Sequence, residues 1–70
     1  MNEPFTYRIR VEGSISPSWQ DWFDEMQIRQ EGDTTLLFGP LPDLSAVYGI
    51  LNRLAGLNLP LISVERIQPD

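Results

Sequence analysis

Four stretches of this chain alternate apolar with polar residues, and two more repeat apolar residues at helical spacing, all within 70 residues. The alternating stretches are Phe5–Glu12, Met26–Glu31, Thr34–Phe38 and Leu61–Ile67, and the helical ones are Pro17–Glu25 and Leu44–Leu57. Period two marks a strand and period 3.6 a helix. The order therefore reads strand, helix, strand, strand, helix, strand. A chain this short has room for one core, so all six elements must share it.

That order is the split-βαβ, ferredoxin-like plan. The expectation is a single α+β domain over residues 1–70, with an antiparallel four-stranded sheet in the order 4-1-3-2. Two helices would cover one face and leave the other open.

Local signals support each element. In the first strand Phe5, Tyr7, Ile9 and Val11 share one face, and Thr6, Arg8, Arg10 and Glu12 the other. Ser16-Pro17 reads as a helix start, a cap followed by a residue suited to the first helical position. Trp19, Trp22, Phe23 and Met26 then fall on one stripe as core. Gly32-Asp33 joins two alternating runs as a hairpin turn. Strand three, ending at Phe38, is apolar on both faces at Leu36, Leu37 and Phe38. Asp43 is placed to cap the second helix, whose inner face is read as Leu44, Val47, Tyr48, Leu51, Leu54 and Ala55. Asn58 is expected to take the left-handed conformation that closes this helix, and Pro60 prevents its continuation.

Composition narrows the chemistry. With no cysteine and no histidine, the common Ser–His and Cys–His arrangements are absent, and so is any disulfide. Five cationic residues, all arginine, stand against ten acids for a net charge of −5. Such a balance disfavours nucleic-acid backbones and anionic membrane surfaces. No apolar run approaches a membrane span, and Met1–Pro4 lacks the pattern of a secretory signal. A cytoplasmic location is expected, with no metal and no cofactor.

Five features were candidates for function. The open sheet face should carry Arg8, Arg10, Arg29 and Glu65, joined by Leu37, Leu61 and Ile67. It reads either as a ladder of cross-strand ion pairs or as a subunit interface. It lacks the stacking aromatics on strand one that RNA platforms use. Asp21, Asp24 and Glu25 read as a solvated face without calcium-loop spacing. Ser45, Gly49, Asn52 and Gly56 form a strip of small residues, and a mid-helix glycine calls for a reason such as a closely approaching backbone. The Glu12–Pro17 loop leads into a helix start; Gly13, Ser14 and Ser16, with Gly49, make an alternative ligand site. The tryptophan cluster reads as core.

The stretch Asp43–Val64, with Trp19, Trp22-Phe23 and the Gly39-Pro40 strand ending, resembles a group of small stand-alone bacterial proteins of unknown function. Asn58 stands where that group would have glycine. The resemblance implies a one-domain ferredoxin-like fold and no activity. More distantly the plan is similar to ACT-type regulatory domains, which bind amino acids between paired subunits; their Pro-Gly before the first helix is missing, since Gly13 and Pro17 are separated and reordered. The reading is a non-catalytic interaction or regulatory module that self-associates through its sheet as a homodimer, or docks an unidentified protein partner. An ACT-like amino-acid sensor is the alternative.

Overall fold

The structure is a computed structural model that describes residues 5–23 and 26–67. Strands β1 (Phe5–Glu12), β2 (Gln27–Glu31), β3 (Thr34–Leu41) and β4 (Leu61–Ile67) form one antiparallel sheet in the order β2-β3-β1-β4. Counted from the β4 edge, the same neighbours read 4-1-3-2. A single α-helix, α1 (Leu44–Gly56), packs on the sheet against β3.

The ferredoxin-like assignment is overturned at the first helix. Pro17–Phe23 is a seven-residue 3-10 segment, so the described residues hold one α-helix and not two. Two α-turns are marginal without strong packing. A 3-10 segment also rises about 2.0 Å per residue against about 1.5 Å for an α-helix, and so covers more of the path to β2 with few residues. Its i to i+3 geometry shows at the entry, where the Trp19 amide donates to the Ser16 carbonyl at 2.8 Å. Phe23 and Met26 are buried and Trp19 packs against the core. The side chain of Trp22 lies outside the described residues, as do Asp24 and Glu25.

β1 follows its alternation. Tyr7, Ile9 and Val11 are buried with Leu37 and Leu41 of β3 and Val47, Ile50 and Leu54 of α1. β3 runs on to Leu41 instead of stopping at Phe38. β2 ends with Gln27 opposite Phe38, so beyond that point one side of β3 is open. Proline is tolerated where no ladder partner needs its missing N–H, and Pro40 sits there opposite Thr6.

Three turns fix the frame. Gly32, at φ 59°, gives the β2–β3 hairpin its two-residue connection, with Glu31 opposite Thr34. Asp43 is extended, and its side chain accepts from the Ala46 amide at 2.9 Å. Asn58 is left-handed at φ 61°. Its amide donates to Ala55 O at 3.0 Å and the Leu59 amide to Leu54 O at 3.2 Å, the paired bonds of a Schellman motif.

The inner face of α1 differs from the sequence expectation. Val47, Ile50 and Leu54 are buried, while Leu44 and Tyr48 are 59% and 60% exposed and Ala55 is exposed. The apolar residues of α1 wrap roughly 200° of its circumference at 100° per residue. One sheet cannot cover so wide an arc, and the flank farthest from Ile50 is left outside. The strip around Gly49 has no backbone against it: a Cβ at Gly49 or Gly56 would meet nothing within 4 Å.

Candidate interaction surface

The open face of the sheet is built in rows by the strand register. One row runs Arg29, Leu36, Arg10, Ser63, and the next Gln27, Phe38, Arg8, Glu65. Leu37 is not on it. It pairs with Ile9 and Ile28 on the covered side and is fully buried, so the expectation that Leu37 belongs to an interface is corrected. The parity of the short β2–β3 hairpin decides this, because a two-residue turn aligns Leu37 with Ile28 and sends Leu36 and Phe38 to the other face.

Leu61 is also displaced. A one-residue irregularity between Arg10/Val11 and β4 sets Leu61 opposite the core residue Val11, out of step with Ser63 and Glu65. Ile67 stays opposite Thr6 on the open face and is half-buried.

The charges on this face are met within the chain. Arg8 Nη1 lies 3.5 Å from Glu65 Oε1, with both side chains about half exposed. Arg10 Nη1 turns the other way, donating to Glu31 Oε1 and Thr34 Oγ1, each at 3.0 Å. The Arg29 guanidinium lies over the Phe38 ring at 5.8 Å. Leu36, flanked by Arg10 and Arg29, is only 8% exposed. Arginine stems shelter apolar surface in this way while their heads stay wet.

The residues of the alternative ligand site do not converge. Gly13 and Ser14 line a shallow cleft of about 460 Å³ with Glu12, Gln30, Gly32 and Asp33, and neither Ser16 nor Gly49 is among its lining. Gly13 is fully engaged: its amide donates to Asp33 O at 2.7 Å and its carbonyl accepts from the Thr35 hydroxyl at 2.7 Å. Gln30 Nε2 donates to Gly32 O at 2.9 Å and also reaches Gly13 O, at 3.4 Å. A Cβ at Gly13, where φ is 90°, would lie 3.1 Å from Leu59. The glycine is thus required by the join between loop and helix exit. Ser16 caps the 3-10 segment, taking the Ser18 amide at 3.4 Å. Asp21 is exposed, as a solvated face requires.

What the sequence reading missed is where apolar surface remains. Among the described residues the exposed large apolar side chains are Phe5, Leu44, Tyr48, Leu61, Ile62 and Val64. Three belong to β4, which is an edge strand. Phe5 adjoins it, its ring 4.5 Å beneath the Arg66 guanidinium. β3 and β4 both run antiparallel to β1, so β3–α1–β4 is a crossover between parallel strands. Leu61, Ile62, Val64 and Phe5 gather at the β4 edge, while Leu44 and Tyr48 lie on the uncovered flank of α1. The signal for that flank was the excess width of the apolar arc on α1.

Fold and surface together define a small α+β domain: one helix on a four-stranded antiparallel sheet, with an apolar edge and a charge-paired open face. No helix among the described residues is long and apolar enough to cross a membrane, and no group of three or more His, Cys, Asp or Glu among them could hold a metal ion. The chain belongs to the family described as "Domain of unknown function (DUF8691)", whose model matches residues 6–65. No curated protein and no solved structure matches it.

Proposed function

We propose that this domain is a non-catalytic interaction module that self-associates through its sheet, at the β4 edge, in a bacterial cytoplasm. The observation that supports this is the gathering of exposed apolar groups there: Leu61, Ile62 and Val64 are 53%, 46% and 38% exposed on a strand with no outer neighbour among the described residues. An edge strand carries unpaired backbone groups, and proteins that must stay apart guard such edges with charges, lysine above all, with proline or with a bulge. β4 has no lysine or proline; its Glu65 and Arg66 are engaged by Arg8 and the Phe5 ring, and its irregularity is confined to the Leu61–Ser63 end. A chain of this size gains more than a large one from covering apolar surface with a partner, and the absence of cysteine suits a reducing compartment.

Sedimentation equilibrium from micromolar to millimolar protein is the test. Self-association that is lost in Ile62→Lys/Val64→Lys, with the far-ultraviolet spectrum retained, is the expected result. A chain that stays monomeric throughout that range refutes the reading.

A further inference from the structure

We infer that two copies join by antiparallel β4–β4 pairing about a two-fold axis through Val64, giving a continuous eight-stranded sheet. The inference rests on the self-association reading and specifies its partner and register. A two-fold axis normal to the sheet makes the contact isologous, with the same strand meeting itself. Residues opposite each other must then lie on the same face, which allows only registers centred on a residue.

The charges of β4 choose among them. Glu65 and Arg66 are its only ionic side chains. Centring on Glu65 or on Arg66 places like charges directly opposite, which is destabilising in a sheet. Centring on Ser63 sets Glu65 against Leu61 and leaves Arg66 and Ile67 beyond the overlap. Centring on Val64 pairs Ile62 with Arg66, Ser63 with Glu65, and Val64 with itself, and leaves Leu61 and Ile67, which the irregularity sets on opposite faces, outside the ladder. The Ser63 hydroxyl can then donate to the Glu65 carboxylate of the second copy. On the open face each Glu65 then has its own Arg8 on one side, at 3.5 Å, and Ser63 of the second copy on the other. The β4 irregularity lies between Ser63 and Leu61, outside the central Ser63–Glu65 segment.

The chain contains no cysteine, so single cysteines report the register cleanly. Directly opposed residues of an antiparallel pair lie about 4.5–5.5 Å apart at Cα, within disulfide reach, whereas positions two residues out of register exceed the roughly 7 Å limit. Val64→Cys under mild oxidation should form a covalent dimer about tenfold faster than Ser63→Cys or Glu65→Cys alone, and a mixture of those two should give the mixed dimer. As a check on the unaltered chain, exchange at the alternate amides of Ser63–Arg66 that point away from β1 should slow as protein concentration rises. A dimer by sedimentation in which Val64→Cys is no faster than the two controls, or in which those amides gain no protection, overturns this register and leaves self-association standing. A monomer at every concentration overturns both.

Discussion

Replacing Gly49 with alanine should stabilise the domain, and the size of the gain follows from the structure. Gly49 lies in the interior of α1, on the side turned away from Val47, Ile50 and Leu54. A Cβ there would have nothing within 4 Å, and the residue is not among the glycines with positive φ. The substitution therefore meets neither clash nor backbone strain, and the helix-propensity difference of about 0.8–1.0 kcal/mol should be realised nearly in full. Unfolding entropy is about 2.1 cal/mol/K per residue, or about 0.15 kcal/mol/K for the 70-residue chain. A gain of about 0.8 kcal/mol then raises Tm by about 5 °C. Urea titration followed by circular dichroism at 222 nm, at one fixed protein concentration, measures it as a higher midpoint at unchanged slope. Gly56→Ala, also open but in the last turn, should gain less. An unchanged or lowered midpoint for Gly49→Ala would refute the claim that this side of α1 faces solvent, and would point to a surface that docks against the glycine.

Other substitutions probe the rest of the frame. Leu37→Ala, at a fully buried site, should cost about 2–5 kcal/mol, a large share of the total available to a domain this small; a loss below about 1 kcal/mol in urea would contradict its core placement. Thr35→Val removes the 2.7 Å hydroxyl bond to the Gly13 carbonyl, which keeps the longer 3.4 Å bond from Gln30 Nε2, so a loss of about 0.5–1.5 kcal/mol is expected by the same titration. Asn58→Ala should lower stability by about 1 kcal/mol while Asn58→Gly does not, because φ is 61° there; equal effects of the two would dismiss the left-handed cap. Arg8→Ala should change the melting temperature little, since both partners in its ion pair are about half exposed.

The parts of the fold that could be read from the chain are those set by a few adjacent residues. β1 shows its faces because apolar and polar residues alternate without interruption from Phe5 to Glu12. Gly32, Asp43 and Asn58 each meet a local backbone demand that few other residues satisfy. The first helix was misread because the nine residues Pro17–Glu25 cannot separate a 3.6 period from a 3.0 period when bulky side chains dominate both. The side of Leu37 was legible in principle, since the two-residue turn after Glu31 already pairs Ile28 with it; the apolar run Leu36-Leu37-Phe38 obscured this. The displacement of Leu61 left no local mark, because a bulge depends on how β4 meets β1 and not on the residue that bulges. Gly49 was read as a contact site from its cost alone, and the open space beside it shows that a helix of this length tolerates the cost.

Two surfaces compete for a partner, the open face of the sheet and the β4 edge. On the open face each arginine already has a counterpart: Glu65 for Arg8, Glu31 and Thr34 for Arg10, the Phe38 ring for Arg29. A partner there would have to strip water from charges that already have company, and truncating or displacing such pairs returns little. It would find little bare apolar surface in exchange, with Leu36 sheltered and Phe38 half-buried. Along β4 the balance reverses. Backbone groups on the outer side of the strand have no ladder partner among the described residues, and Leu61, Ile62 and Val64 are wet. Strand addition at that edge meets both demands at once, supplying hydrogen bonds to the backbone and removing apolar area from water. It leaves the charge pairs of the open face intact, so the sheet can grow sideways without taking apart anything the single chain has built.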